Sequence, residues 1–182
     1  MDTLTHAVEA YVSNAHSPVT DLLALEAIRL VGLHFPGGIA HPAQPEHRGH
    51  LLKASLLSGL AFSNTSLGLV HAMAHSVGGL LDSIHGDSNA LLLETVIRFN
   101  LPTEPDRYGR IAEALGVPPE GLIPRIRQFR DMEDLGGNLA SLGVTEALLP
   151  ELVQRTLEDP CLVTNPRQPR ADEVAQLFRE AL

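Results

Sequence analysis

Two pairs of side chains stand at the spacing that lets one helix offer two ligands to one ion. Asp2 and His6 form the first pair. His71 and His75 form the second, within Val70-His71-Ala72-Met73-Ala74-His75. Residues four apart on a helix project ~40° from one another and share a face. His85 follows in Ile84-His85-Gly86-Asp87 and reads as lying just before a helix N-terminus, where Gly86 permits a backbone conformation that other residues avoid. Neutral imidazoles with one carboxylate suit Fe(II), Zn(II) or a similar first-row ion, whereas calcium wants oxygen donors. Each pair alone is more often a solvated or core-satisfied histidine than a ligand pair. Spacing therefore leaves both a metal site and ordinary histidines open.

Such pairs need helices, and the chain reads as helix after helix. Apolar periodicity and punctuation predict helices over residues 4–12, 22–35, 46–62, 70–81, 89–99, 108–115, 119–130, 145–157 and 171–182. Thr20 or Asp21 is the expected cap of the second, and Pro36-Gly37-Gly38 its expected end. Leu51, Leu52, Leu56, Leu57 and Leu60 fall on one side of the third, and the fourth should break near Gly78-Gly79. Asp87 or Ser88 is the expected cap of the fifth. No clear period-2 strand appears, so the predicted class is all-α, a single domain over residues 1–182.

Composition narrows the partners. Thirteen basic against twenty-two acidic residues give a formal charge of −9, and Lys53 is the only lysine, which argues against nucleic acid. No apolar run reaches the ~20 residues needed to cross a bilayer, so no membrane role is expected. The single cysteine, Cys161, rules out an internal disulfide and fits a reducing, cytoplasmic setting.

The strings around these residues narrow the reading further. Met1-Asp2-Thr3-Leu4-Thr5-His6-Ala7-Val8-Glu9-Ala10-Tyr11 and Gly59-Leu60-Ala61-Phe62-Ser63-Asn64 resemble the iron-containing (group III) alcohol dehydrogenases. So do Leu67-Gly68-Leu69-Val70-His71-Ala72-Met73-Ala74-His75, His85-Gly86-Asp87-Ser88-Asn89-Ala90 and the tail Asp159 to Arg167, with Asn165-Pro166-Arg167. The match is ordered, colinear and spans most of the chain.

The resemblance implies the C-terminal helical domain of the iron-containing alcohol dehydrogenase/dehydroquinate synthase-like fold. It implies Asp2, His6, His71 and His85 as ligands of Fe(II) or Zn(II). His75 matches the family's non-ligand histidine beside the metal and the nicotinamide, with catalytic and cofactor-contacting roles. Phe62 matches a substrate-cleft aromatic, although a core phenylalanine on the third helix reads equally well; Cys161 either approaches the same cleft or, as a lone buried thiol usually does, only packs. The implied reaction interconverts a small alcohol and its aldehyde or ketone, with the metal as Lewis acid and hydride passing to or from NAD or NADP.

In the family the nucleotide sits on an N-terminal α/β domain with a glycine-rich turn. The pairs Gly37-Gly38, Gly78-Gly79 and Gly136-Gly137 follow no strand and read as helix ends or close packing. NAD or NADP is accordingly expected only with a complementary nucleotide-binding domain. Asp2, as the second residue, is expected to fray and to hold metal less firmly than in a longer relative. The alternative function is a non-catalytic helical remnant that self-associates through an exposed interdomain face. A metal-buffering domain is a third reading. Glu9 is expected to support His6 or to face solvent. His47 and His50 read as a surface pair, His34 as lying near a helix end, and Asp131, Glu133 and Asp134 as a solvated acidic cluster.

Overall fold

The structure, a computed structural model, describes residues 1–133 and 137–182; Asp134 and Gly136 of the expectations above lie outside the described residues. Its helices are α1 (Asp2–Val12), α2 (Pro18–Ala40), α3 (Pro45–Thr65), α4 (Leu69–Leu81) and α5 (His85–Asn100), followed by α6 (Pro105–Ala114), α7 (Leu122–Met132), α8 (Leu149–Glu158) and α9 (Ala171–Glu180). Short 3-10 turns lie at Pro119–Gly121, Leu139–Leu142, Glu146–Leu148 and Pro160–Thr164. No strand occurs among the described residues, and the fold is all-α as expected.

The buried core runs through every long helix. Leu4, Ala7 and Val8 of α1 share it with Ile28 of α2, Met73 of α4, Leu92 and Leu93 of α5, Phe129 of α7 and Phe178 of α9. Helix α1 is central. From Ala7 to Val12 every one of its residues is buried, because it packs against α2, α3 and α5 together. Two ligand candidates therefore sit on the first turns of a helix whose remainder is held firmly.

Three boundaries differ from expectation in ways that matter for the site. The cap of α2 is Ser17, not Thr20 or Asp21. Its hydroxyl accepts from the Thr20 amide at 3.2 Å, and the Thr20 hydroxyl accepts from the Ser17 amide at 2.8 Å. The same helix does not stop at Pro36 but carries it inside and continues to Ala40. Gly37 explains the continuation. A Cβ there would lie 2.4 Å from the His47 ring, so the glycine lets α3 cross directly over the α2 backbone. His34 is accordingly well inside α2, stacked on His50 with ring centroids 4.0 Å apart.

The extension also makes α2 a 23-residue helix with a mean hydropathy of 1.4 over its most apolar window. By length and composition it could span a membrane, contrary to the expectation that no run is long enough. In this fold Ala24, Ala27, Ile28, Leu30 and Val31 are spent on the core.

Helix α3 fully buries its small residues, while its leucines are split, with Leu51 and Leu57 packed partly against the core. Ala54, Ser58 and Ala61 face inward, while Leu52, Leu56 and Leu60 are exposed. Close approach to α2 needs small side chains, and this decides which face turns in.

Helix α5 begins at His85 rather than at residue 89, with Ile84 as its cap. His85 and Asn89 thus stand four apart on one helix, and Gly86 lies inside the first turn. Helix α4 also runs unbroken through Gly78 and Gly79, ending where Asp82 adopts a left-handed conformation, φ 53°.

Candidate metal centre

Helices α1, α4 and α5 converge at the ends that carry the candidate ligands. One ligand atom from each of Asp2, His6, His71 and His85 lies within 4.8 Å of every other. The His6 Nε2 and His71 Nε2 atoms are 3.2 Å apart, and His85 Nε2 is 3.8 Å from Asp2 Oδ1. The group has a buried floor, since the His71 side chain is 1% exposed, and an open mouth, where Asp2 and His85 are 42% and 43% exposed.

Hydrogen bonds set two of the imidazole tautomers. His6 Nδ1 donates to the Asp2 carbonyl at 3.0 Å, and His71 Nδ1 donates to Glu9 Oε2 at 2.6 Å. Each ring then presents its Nε2 lone pair toward the other. Burial, followed by the charge of His71, holds His6 and His85 below the ordinary imidazole value. Both rings are thus held toward the neutral form that a metal ligand requires.

The donor chemistry fits a divalent cation. Three imidazole nitrogens and one carboxylate oxygen converge, and lone pairs that face one another repel unless something electropositive lies between them. The one amide nearby cannot serve all of them. Asn89 Nδ2 contacts Asp2 Oδ1 at 2.7 Å, His85 Nε2 at 3.0 Å and His71 Nε2 at 3.2 Å, yet it has only two hydrogens. Its Oδ1 is buried without a partner. A first-row ion with a preference for nitrogen and one hard oxygen matches this set, and calcium does not.

Glu9 serves His71, not His6. Its carboxylate also accepts from the amides of Gly68 at 3.0 Å, Val70 at 2.6 Å and His71 at 3.4 Å. These are the orphan donors at the start of α4, whose cap residue, Gly68, has no side chain of its own. Asn165 completes the cap, with Oδ1 accepting from the Leu69 amide at 3.0 Å. Gly68 has to be glycine, because a Cβ would lie 2.8 Å from Asn165 Oδ1 and 2.9 Å from Glu9 Oε1. One buried carboxylate thus orients the imidazole and caps the helix that carries it.

The remaining candidates gather at the mouth. Phe62 stacks on the His6 ring, with centroids 4.5 Å apart and planes at 25°. It is therefore a wall of the group as well as a neighbour of the core. The His75 ring lies 5.4 Å from His85 and 5.8 Å from His71. Its Nδ1 donates to Asp159 Oδ2 at 2.9 Å. Cys161 lies beside the same carboxylate, and burial followed by the charge of Asp159 pushes its thiol up to about 12. Sequence reading missed Asn89 and Asp159. Asn89 stands four residues after His85 and becomes visible once α5 is started there. Asp159 opens the family-like tail, but nothing local ties it to His75, which lies 84 residues away.

The chain matches the description "Fe-containing alcohol dehydrogenase family, C-terminal" over residues 1–182. It is 41% identical to the 1,3-propanediol dehydrogenase of Citrobacter freundii, over all of this chain and 49% of that protein. It is 42% identical to alcohol dehydrogenase 4 of Schizosaccharomyces pombe, over all of this chain and 44% of that protein. In three dimensions it superimposes on the crystal structure of a 1,3-propanediol oxidoreductase with a TM-score of 0.97 at 40% identity, covering all of this chain and 50% of that one. An alcohol dehydrogenase from Oenococcus oeni superimposes with a TM-score of 0.96 at 30% identity, again over 50% of its length. The chain spans about half the length of the curated relatives it matches. A helical bundle that brings these four ligand candidates together, matched along its whole length to such relatives, belongs to the Fe-containing alcohol dehydrogenase family and corresponds to its C-terminal half.

Proposed function

We propose that residues 1–182 act as one helical metal-binding domain, in which Asp2, His6, His71 and His85 hold a single Fe(II) or Zn(II) ion. The domain is then the metal half of an NAD(P)-dependent alcohol dehydrogenase working on a small alcohol or its carbonyl counterpart. The observation that carries this reading is the convergence of four ligand atoms within 4.8 Å on three helices. When bound, the ion supplies Lewis acidity toward the alcohol or carbonyl oxygen.

The chain's own residues do the rest. Glu9 keeps the His71 proton on Nδ1, and Asn89 tethers the Asp2 carboxylate. Phe62 gives the mouth an apolar wall that orients the substrate's carbon chain and excludes water on that side. His75, with Nδ1 held by Asp159, keeps its other nitrogen available to move the hydroxyl proton. The sequence resemblance also gives it the role of the family's nicotinamide-adjacent histidine.

NAD or NADP requires a complementary nucleotide-binding domain as partner, and self-association through exposed apolar surface is the competing contact. The exposed side chains of Leu33, Leu52 and Leu56 supply such surface. A reducing, cytoplasmic location suits the lone free thiol.

The test is alcohol-dependent reduction of NAD(P) by the metal-loaded chain, alone and mixed with a nucleotide-binding domain from the family. Activity in the pair that disappears in His71→Ala supports the proposal. A reconstituted, metal-loaded pair with no activity on any small alcohol overturns it in favour of a non-catalytic helical module.

A further inference from the structure

A second group of potential ligands lies beside the first and shares no residue with it. His75 projects from α4, Asp159 stands at the end of α8, and Cys161 lies in the following 3-10 turn. One ligand atom from each falls within 4.8 Å of the others. His75 Nδ1 and Asp159 Oδ2 are 2.9 Å apart, hydrogen-bonded to one another, and need only separate by a few tenths of an ångström to hold one ion between them. The Cys161 amide donates to Asp159 Oδ1 at 2.8 Å, which fixes the carboxylate between the imidazole and the sulfur.

We propose that His75, Asp159 and Cys161 form a second site for a thiophilic divalent cation, of which Zn(II) is the type. Imidazole nitrogen, carboxylate oxygen and thiolate sulfur are all ligands that Zn(II) accepts, and three of them leave a position open to water. Thiolate and carboxylate together offset the charge of the ion. The balance is simple and involves no redox change. The metal forms bonds to His75 Nδ1, an Asp159 oxygen and the Cys161 sulfur; the thiol proton leaves to solvent, the imidazole proton is exchanged through solvent from Nδ1 to Nε2, and the hydrogen bond from His75 to Asp159 breaks. The His75 side chain is 42% exposed, so the ion has a way in. Hard cations such as Mg(II) and Ca(II) are not held, because they avoid sulfur. An occupied second site takes His75 out of its bond to Asp159, so soft cations regulate the group at the mouth without displacing the first ion.

The sulfur separates this site from the first one spectroscopically, since Asp2, His6, His71 and His85 offer only nitrogen and oxygen. Co(II) is titrated into the full chain without oxygen or competing thiols. Two bound equivalents are expected, one of them with a near-ultraviolet sulfur-to-cobalt charge-transfer band. Cys161→Ser should lose the band and one equivalent. His75→Ala and Asp159→Ala should each weaken the sulfur-bearing equivalent by more than about tenfold. His71→Ala should lose the other equivalent and keep the band, so the two sites fail independently. If Cys161→Ser does not fold, protection of the wild-type thiol from alkylation by one added equivalent of Zn(II) replaces it. A wild-type spectrum without the band, or a band whose affinity ignores both His75 and Asp159, overturns the proposal.

Discussion

Glu9 is the residue on which the most depends. Its carboxylate accepts the proton of the His71 ring and three backbone amides at the start of α4, all within a buried pocket. Glu9→Gln keeps the size but loses the charge, and leaves one oxygen to do the work of two. Partners of metal-bound histidines typically matter by about 10–100-fold in metal affinity. The same drop is expected here, measured by chelator competition against the wild-type chain. An unchanged affinity would mean that His71 is oriented by packing alone.

At the scale of the element, the junction of α4 with α1 and the C-terminal tail is the most sensitive. Gly68→Ala places a Cβ against Asn165 Oδ1 and Glu9 Oε1, both of them committed to buried hydrogen bonds. Roughly 1–3 kcal/mol of destabilisation is expected in urea unfolding, as for other overpacked sites. Metal affinity should fall with it, because Glu9 is pushed off His71.

The contact of α5 with α7 carries the pH dependence. Glu94 of α5 accepts from Arg127 of α7 and from Arg98 on its own helix. Burial pushes its carboxyl up, but the arginine hydrogen bonds and charges outweigh this and leave it below the ordinary range. A carboxyl lowered in the folded state stabilises the protein above its unfolded value. That contribution is lost as the pH falls through the folded value. Glu94→Gln should therefore cost about 1 kcal/mol at neutral pH. The difference from wild type should begin to shrink as the pH falls below the ordinary glutamate value of about 4.3 and vanish only below the lowered folded value, in unfolding curves taken across pH.

For the whole molecule, the proposed metal binding is expected to be linked to folding, because the four ligand candidates come from three helices that meet only in the folded bundle. A ligand at 100 times its dissociation constant stabilises by about 2.7 kcal/mol. The melting temperature should rise on adding Fe(II) or Zn(II) and fall back with chelator, while His71→Ala shows no such rise. Self-association is tested separately. The exposed leucines of α2 and α3 predict a light-scattering mass that grows with protein concentration and falls in Leu52→Glu/Leu56→Glu.

The sequence by itself determined the helical class, the Asp2–His6 and His71–His75 pairs, and the resemblance that named the ligand set. These features are local or colinear, and periodicity and strings of residues report them directly. Only the tertiary structure decided which histidine Glu9 serves, that Asn89 reaches Asp2 across 87 positions of sequence, and that Asp159 holds His75. It also decided that α2 runs through Pro36 and that α3 turns Leu52, Leu56 and Leu60 outward, because both outcomes depend on how closely α2 and α3 approach. A helical pattern states which residues share a face, but the identity of the neighbour that meets the face is a property of the packed bundle. For that reason the four ligand candidates could be named from the sequence, while the hydrogen bonds that orient them could be read only from the packed helices.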